Sequence, residues 1–237
     1  MPLAHFKTGT LFFAHVPKAG GTSVENYLIR RFGPLSVDDR NRRAGRRKTG
    51  LIVPASHLSA EDLTEFIPHD VAYVFAVVRH PVDRLMSEYR YQSGVSRMSR
   101  LGFALWLRLV IHAARLDKRV YENHIRPQCD LIPEGSDIFR LEDGFDGLIR
   151  RIDETVGTSA PDIRIEHLNK RQRKSLQLSR QDVQLITSFY SEDFDKLGYD
   201  MPDPDALAAD KWVWAKDALA RVLAVALVQK QRWTWAR

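Results

Sequence analysis

HVPKAGGTSVENYL, residues His15 to Leu28, decides the fold. It overlaps the end of Thr10–Val16 (TLFFAHV), a short apolar run closed by Pro17 and two glycines, the pattern of a buried strand. From Thr22 to Phe32 the spacing predicts a helix with Val24, Tyr27 and Leu28 on one face. Strand, Gly turn and helix in that order form the front of an α/β nucleotide-binding fold. Gly20 and Gly21 let backbone approach a ligand closely, and a helix N-terminus offers unpaired N–H groups and a positive dipole end. Lys18, Thr22 and Ser23 add one charge and two hydroxyls aimed at the same point. The loop reads as an anion cradle for a phosphate or a similar tetrahedral group. It is not a Walker A loop, which needs Lys after the last glycine. Here Lys18 precedes the glycine pair, which argues against kinase chemistry.

A second signal is VVRHPVDRLMSEY, Val77 to Tyr89. Val71–Val78 (VAYVFAVV) has no polar interruption and predicts a central strand covered on both faces, as in parallel sheets. Arg79 leaves its carboxyl end, the edge at which open α/β sheets bind ligands. Pro81 can open a helix there, and Ser87 lies eight residues beyond Arg79. An Arg fork and a hydroxyl suit a second phosphate.

Elsewhere Ser59 and Asp62 predict a helix cap, with Leu58 and Leu63 as a hydrophobic staple. Arg97–Arg119 reads as an amphipathic helix, Asp137–Leu141 as a strand followed by a helix through Leu148 and Ile152, and Ser179 as the start of another helix. Near the end, Leu219, Val222, Leu223, Ala226 and Leu227 form an apolar stripe at helical spacing. The predicted class is α/β: a P-loop-like three-layer fold with a central, mostly parallel sheet flanked by helices. No repeat or linker divides the chain, so one domain over residues 1–237 is expected, with ligand loops at 15–28 and 77–89.

The balance of 44% hydrophobic and 28% charged residues excludes wholesale disorder. The single cysteine, Cys129, excludes a disulfide framework and a Cys-rich zinc site and suits a reducing cytoplasm, the expected location. Charged residues interrupt every long apolar stretch, so no transmembrane segment is expected. The net charge is +6, and eight basic residues between Arg30 and Lys48 face only Asp38 and Asp39 there. That segment either draws anionic ligands or is a solvated loop. The same two readings apply to HLNKRQRKS, His167 to Ser175. Trp212, Trp214, Trp233 and Trp235 flank the terminal helix and read as core or interface packing rather than glycan-stacking residues.

PKAGGTS after one strand and RHPVDRLMSEY after another resemble the two cofactor loops of sulfotransferases that use 3′-phosphoadenosine 5′-phosphosulfate (PAPS). The similarity is to the carbohydrate type, heparan and chondroitin sulfotransferases and their soluble bacterial relatives. Asn123-His124-Ile125-Arg126-Pro127-Gln128 and the segment from Asp193-Phe194 to Leu197-Gly198-Tyr199 also look like pieces of this family. The resemblance implies that Lys18, Ala19, Gly20, Gly21, Thr22 and Ser23 bind the 5′-phosphosulfate, and Arg79 and Ser87 the 3′-phosphate. Ala19 replaces a hydroxyl residue often found in the family. Arg126 would reach cofactor or acceptor, or serve structure. The implied acceptor is a hydroxyl compound, a glycan or glycolipid, with no specific nucleic-acid partner.

Sulfuryl transfer, like phosphoryl transfer, is an in-line displacement governed by positioning and electrostatics. The sulfuryl group carries less charge than a phosphoryl group, so no metal is expected to be required. Lys18 would stabilise the leaving oxygen. His57, between a short apolar run and a capped helix, is the expected base. The family places a His at a comparable point, usually after Gly, where Ser56 stands here. His15, His80 and Glu61 are rival bases, His15 and His80 reading better as structural residues. Two other functions compete: a P-loop ATP-dependent kinase, and a non-catalytic polyanion-binding protein on the same scaffold.

Overall fold

The computed structural model describes residues 2–36, 53–63, 71–95, 101–165 and 176–235. The strands are β1 Leu3–Phe6, β2 Gly9–Ala14, β3 Val71–Val78 and β4 Asp137–Arg140. The helices are α1 Gly21–Phe32, α2 Ala60–Leu63, α3 Pro81–Val95, α4 Phe103–Leu116, α5 Asp146–Val156, α6 Arg180–Phe189, α7 Ser191–Lys196 and α8 Val213–Trp235. They fall into two compact units, Met1–Arg79 with Asp130–Arg171, and His80–Cys129 with Gln172–Arg237.

In the first unit the sheet order is β1-β2-β3-β4. β1 runs antiparallel to β2, whereas β2, β3 and β4 are parallel, with Phe13 opposite Phe75 and Ala76 opposite Ile138. This is the predicted α/β arrangement, a mostly parallel sheet flanked by helices. Side chains alternate along the strands. Leu11, Phe13, Tyr73, Phe75 and Val77 pack with Val24, Tyr27 and Leu28 of α1 and Leu148 and Ile152 of α5. Phe12, Ala14 and Ala76 point the other way, onto Val53, Leu58 and Leu63. Each fully buried Leu, Phe or Val contributes about 1.5–3 kcal/mol. Because the parallel strands end at one edge, His15, Arg79 and Leu141 all enter loops there.

The Ser59 cap forms as expected: Asp62 N–H donates to Ser59 Oγ at 3.3 Å, and Ser59 N–H donates to Asp62 Oδ2 at 3.0 Å. Leu58 and Leu63 are both buried beside it. The cap fixes where the preceding turn, Ala55–His57, ends.

The second unit is helical. Leu85, Trp106, Val110, Ile111, Ile186, Tyr190 and Phe194 share a core with Ala220, Ala224 and Val228 of α8. Ser179 and Asp182 cap α6 reciprocally, as the sequence predicts for Ser179. α8 departs from its predicted stripe. Its inner face is Ala220, Ala224 and Val228, flanked by half-buried Leu223 and Leu227, while Leu219, Val222 and Ala226 are exposed. Small residues let α8 approach closely, so the larger apolar positions lie outward. His112 Nε2 donates to Asp217 Oδ1 at 2.7 Å, and Arg232 Nε donates to Asp117 Oδ2 at 3.0 Å. Burial would raise the Asp117 carboxyl, but hydrogen bonds from Arg119 and Arg232 prevail and hold it at about 2.

Candidate functional site

The loop between β2 and α1 is a tight turn over Pro17–Gly20. Lys18 has φ +67°, the left-handed region, which costs a non-glycine residue about 1–2 kcal/mol. Gly20 is the N-cap of α1 at φ +92°, a conformation suited to glycine. A Cβ there would also lie 2.9 Å from Leu141 Cδ1, so the residue after β4 backs the turn. No side chain caps α1, and its first turn holds no acidic residue. Ser23 N–H closes onto the Gly20 carbonyl at 3.0 Å. The positive helix end therefore meets the loop without a compensating first-turn carboxylate. Thr22 is exposed, Lys18 half-buried and Ser23 buried.

Gly21 has a different constraint. A Cβ there would stand 2.3 Å from His15 Nε2, with the rest of the imidazole nearly as close. That ring is held on several sides. Its Nδ1 donates to Glu25 Oε1 at 2.6 Å, it stacks on Phe13 at 5.6 Å, and His57 meets it edge-on at 5.3 Å between centroids. His15 is thus packed and hydrogen-bonded in place at the end of β2. Glu25 was not singled out by sequence, although an acid beside Val24 and Leu28 on an apolar helix face is a legible signal. His57 is buried at the end of its turn and shares this cluster with His15.

Ala19 packs its methyl against Val16 and Leu131, and its N–H donates to the Val16 carbonyl at 3.3 Å. Arg79, half-buried just beyond β3, donates from Nη1 to the Lys18 carbonyl at 3.4 Å. The structure thus brings together Lys18, the glycine pair, His15, His57 and Arg79 at the carboxyl edge of the parallel strands.

The family model described as "Sulfotransferase family" matches residues 4–200. The chain belongs to the sulfotransferase family. No curated protein and no solved structure matches it significantly.

The match spans both loops of this sulfotransferase and the two later family-like segments. Those segments meet in the second unit. The buried Asp193 carboxylate accepts from Gln128 N–H at 2.9 Å and Cys129 N–H at 3.0 Å. Arg84 donates to the carbonyls of His124 and Arg126, both at 2.9 Å, and Tyr190 Oη donates to the Ile125 carbonyl at 2.6 Å. His124 Nδ1 donates to Glu88 at 2.7 Å. Tyr121, Glu122 and Asn123, leading into this segment, all have positive φ, so the network fixes a strained entry. Arg84, Glu88 and Asp193 are its organisers; Arg84 and Glu88 lie within RHPVDRLMSEY, and Asp193 opens the later family-like segment.

His80 stacks edge-on against Phe194 and Tyr199, consistent with a role in shaping the chain before Pro81. Ser87 is half-buried on α3 of the second unit. Burial and the Asp193 carboxylate push the Cys129 thiol up to about 12, so it is no thiolate nucleophile. Three tryptophans correct the packing expectation in part: Trp212, Trp214 and Trp233 are exposed rather than in the core. The basic run beyond Ser36 and the His167–Ser175 loop lie outside the described residues.

Proposed function

We propose that this sulfotransferase moves a sulfuryl group from PAPS to a hydroxyl of a carbohydrate, glycan or glycolipid, in the cytoplasm. The observation carrying this reading is the acid-free N-terminus of α1, capped by no side chain, with Lys18 in the turn that leads into it. Such a backbone-lined positive site fits a tetrahedral anion held at close range. Lys18, Gly20, Gly21, Thr22 and Ser23 would hold the 5′-phosphosulfate. Ala19, with its N–H committed to Val16, would hold the turn beneath it. Arg79 would meet the 3′-phosphate. Ser87 is assigned to that group by the resemblance alone.

The donor supplies the sulfuryl group and a bisphosphate leaving group. As the acceptor oxygen bonds to sulfur and the bridging sulfur–oxygen bond breaks, Lys18 and the α1 N–H groups neutralise charge on the departing oxygen. His57 takes the acceptor's proton. Fixed donors of this kind suit the modest charge of a sulfuryl group, so the mechanism calls for no divalent metal.

Two variants test the parts. Arg79→Ala should weaken 3′-phosphoadenosine 5′-phosphate about 10- to 100-fold in calorimetry, the value of a charge-assisted Arg contact. AMP should change far less. Equal losses for both nucleotides would remove Arg79 from the 3′-phosphate. His57→Ala should lower turnover by about 10²–10⁴ with nucleotide affinity nearly unchanged. Surviving turnover would assign the proton to another residue or to water.

A further inference from the structure

α8 is apolar on two opposite faces. Ala220, Ala224 and Val228 lie in the core, yet Trp214 is 68% exposed, Val222 70% and Trp233 56%, with Leu219 and Val225 exposed between them. At ~100° per residue these five fall within an arc of roughly 140°, which also takes in the exposed Gln229 near its centre and Arg232 at the Trp214 edge. A surface helix ordinarily turns polar residues outward, and contiguous exposed apolar surface marks an interaction site.

The charges around this arc say what it meets. Among described residues 210–233, every exposed charged side chain is basic: Lys211, Arg221, Lys230 and Arg232, of which Arg221 is ion-paired with Asp217 and Arg232 with Asp117. The acids are half-buried and engaged. Asp210 accepts from Lys216 at 2.5 Å, and Asp217 from His112 at 2.7 Å and Arg221 at 2.9 Å. On a helical projection Arg221 borders one side of the arc and Lys230 the other. Tryptophans near both ends and basic residues along the boundary are the composition of a helix lying in a membrane interface.

We infer that the outer face of α8 docks on an anionic lipid surface, its apolar arc at the acyl boundary and Lys211 and Lys230 among the phosphates. Pairing two copies through this face would set basic rim against basic rim, whereas anionic headgroups oppose that charge. No described helix is long and apolar enough to cross a membrane, so the contact is one of lying on the surface. The inference stands independently of the donor and acceptor assignments.

The test is flotation of the full chain with phosphatidylcholine vesicles, with and without phosphatidylglycerol, while tryptophan emission is recorded. Binding should require phosphatidylglycerol, weaken with salt and shift the emission to the blue. Val222→Asp with Val225→Asp should reduce binding at least about tenfold. Both positions are exposed, so the melting temperature should hold. Lys211→Glu with Lys230→Glu should remove the preference for phosphatidylglycerol and provides a second reading if the first variant misfolds. Absent binding, equal binding to neutral vesicles, or binding insensitive to both variants would overturn the inference. So would self-association abolished by the valine substitutions in a chain that ignores vesicles.

Discussion

Lys18→Ala should abolish sulfuryl transfer, lowering turnover by about 10³-fold or more, while the protein stays folded. The size follows from the proposed role: Lys18 neutralises charge that grows on the leaving oxygen, and removing one preorganised donor of that kind typically removes 10²–10³-fold even when it is neutral. The structure also separates this effect from stability. Lys18 holds φ +67°, a conformation that strains lysine and alanine alike. Lys18→Gly should relieve the strain and raise stability by about 1 kcal/mol, yet be as inactive as the alanine variant. Release of 3′-phosphoadenosine 5′-phosphate from PAPS, measured with a panel of p-nitrophenyl glycosides as acceptors, reads the activity; thermal melting reads the stability. Substantial turnover in either variant would defeat the assignment of Lys18 as electrostatic catalyst.

Gly21→Ala should be the most crowded glycine-to-alanine change among the described residues of the first unit. Its Cβ would stand 2.3 Å from His15 Nε2. Retreat of the ring would disturb the Glu25 hydrogen bond, the Phe13 stack and the His57 edge contact together. Overpacking of this kind costs about 1–3 kcal/mol, and the first turn of α1 would shift away from any bound anion. Nucleotide affinity should fall at least about tenfold alongside the melting temperature. His15→Ala in the Gly21→Ala background should recover part of the stability by opening the space, a non-additivity expected of contacting residues. A Gly21→Ala protein with parent stability and parent affinity would mean that the ring is not fixed where it lies.

Much of the β2–turn–α1 unit was legible because its parts are local. β2, the glycine pair and α1 follow one another within a few residues, and the uninterrupted apolar run of β3 announces a strand buried on both faces. What supports that turn was not legible, since it comes from distant segments. Leu141 arrives from the end of β4 to back Gly20, and nothing near it in the sequence says so. β1 is four residues long and is defined by its pairing, Leu3 opposite Phe12, rather than by a pattern of its own. α8 misled for another reason. Both its faces are apolar, so periodicity could not choose between them, and alanines rather than the larger Leu219 and Val222 turned inward. The Asp193 contacts joining two family-like segments likewise depend on the fold, not on spacing.

The central claim is that the loop at 15–28 and Arg79 together hold a 3′-phosphorylated adenine nucleotide. Calorimetric titration of the full chain with 3′-phosphoadenosine 5′-phosphate, beside AMP and ATP–Mg²⁺ in moderate salt, tests it most directly. The bisphosphate should be clearly preferred, with binding reduced by Arg79→Ala and by Lys18→Ala. Preference for ATP–Mg²⁺, or a folded protein that binds none of the three, would contradict it.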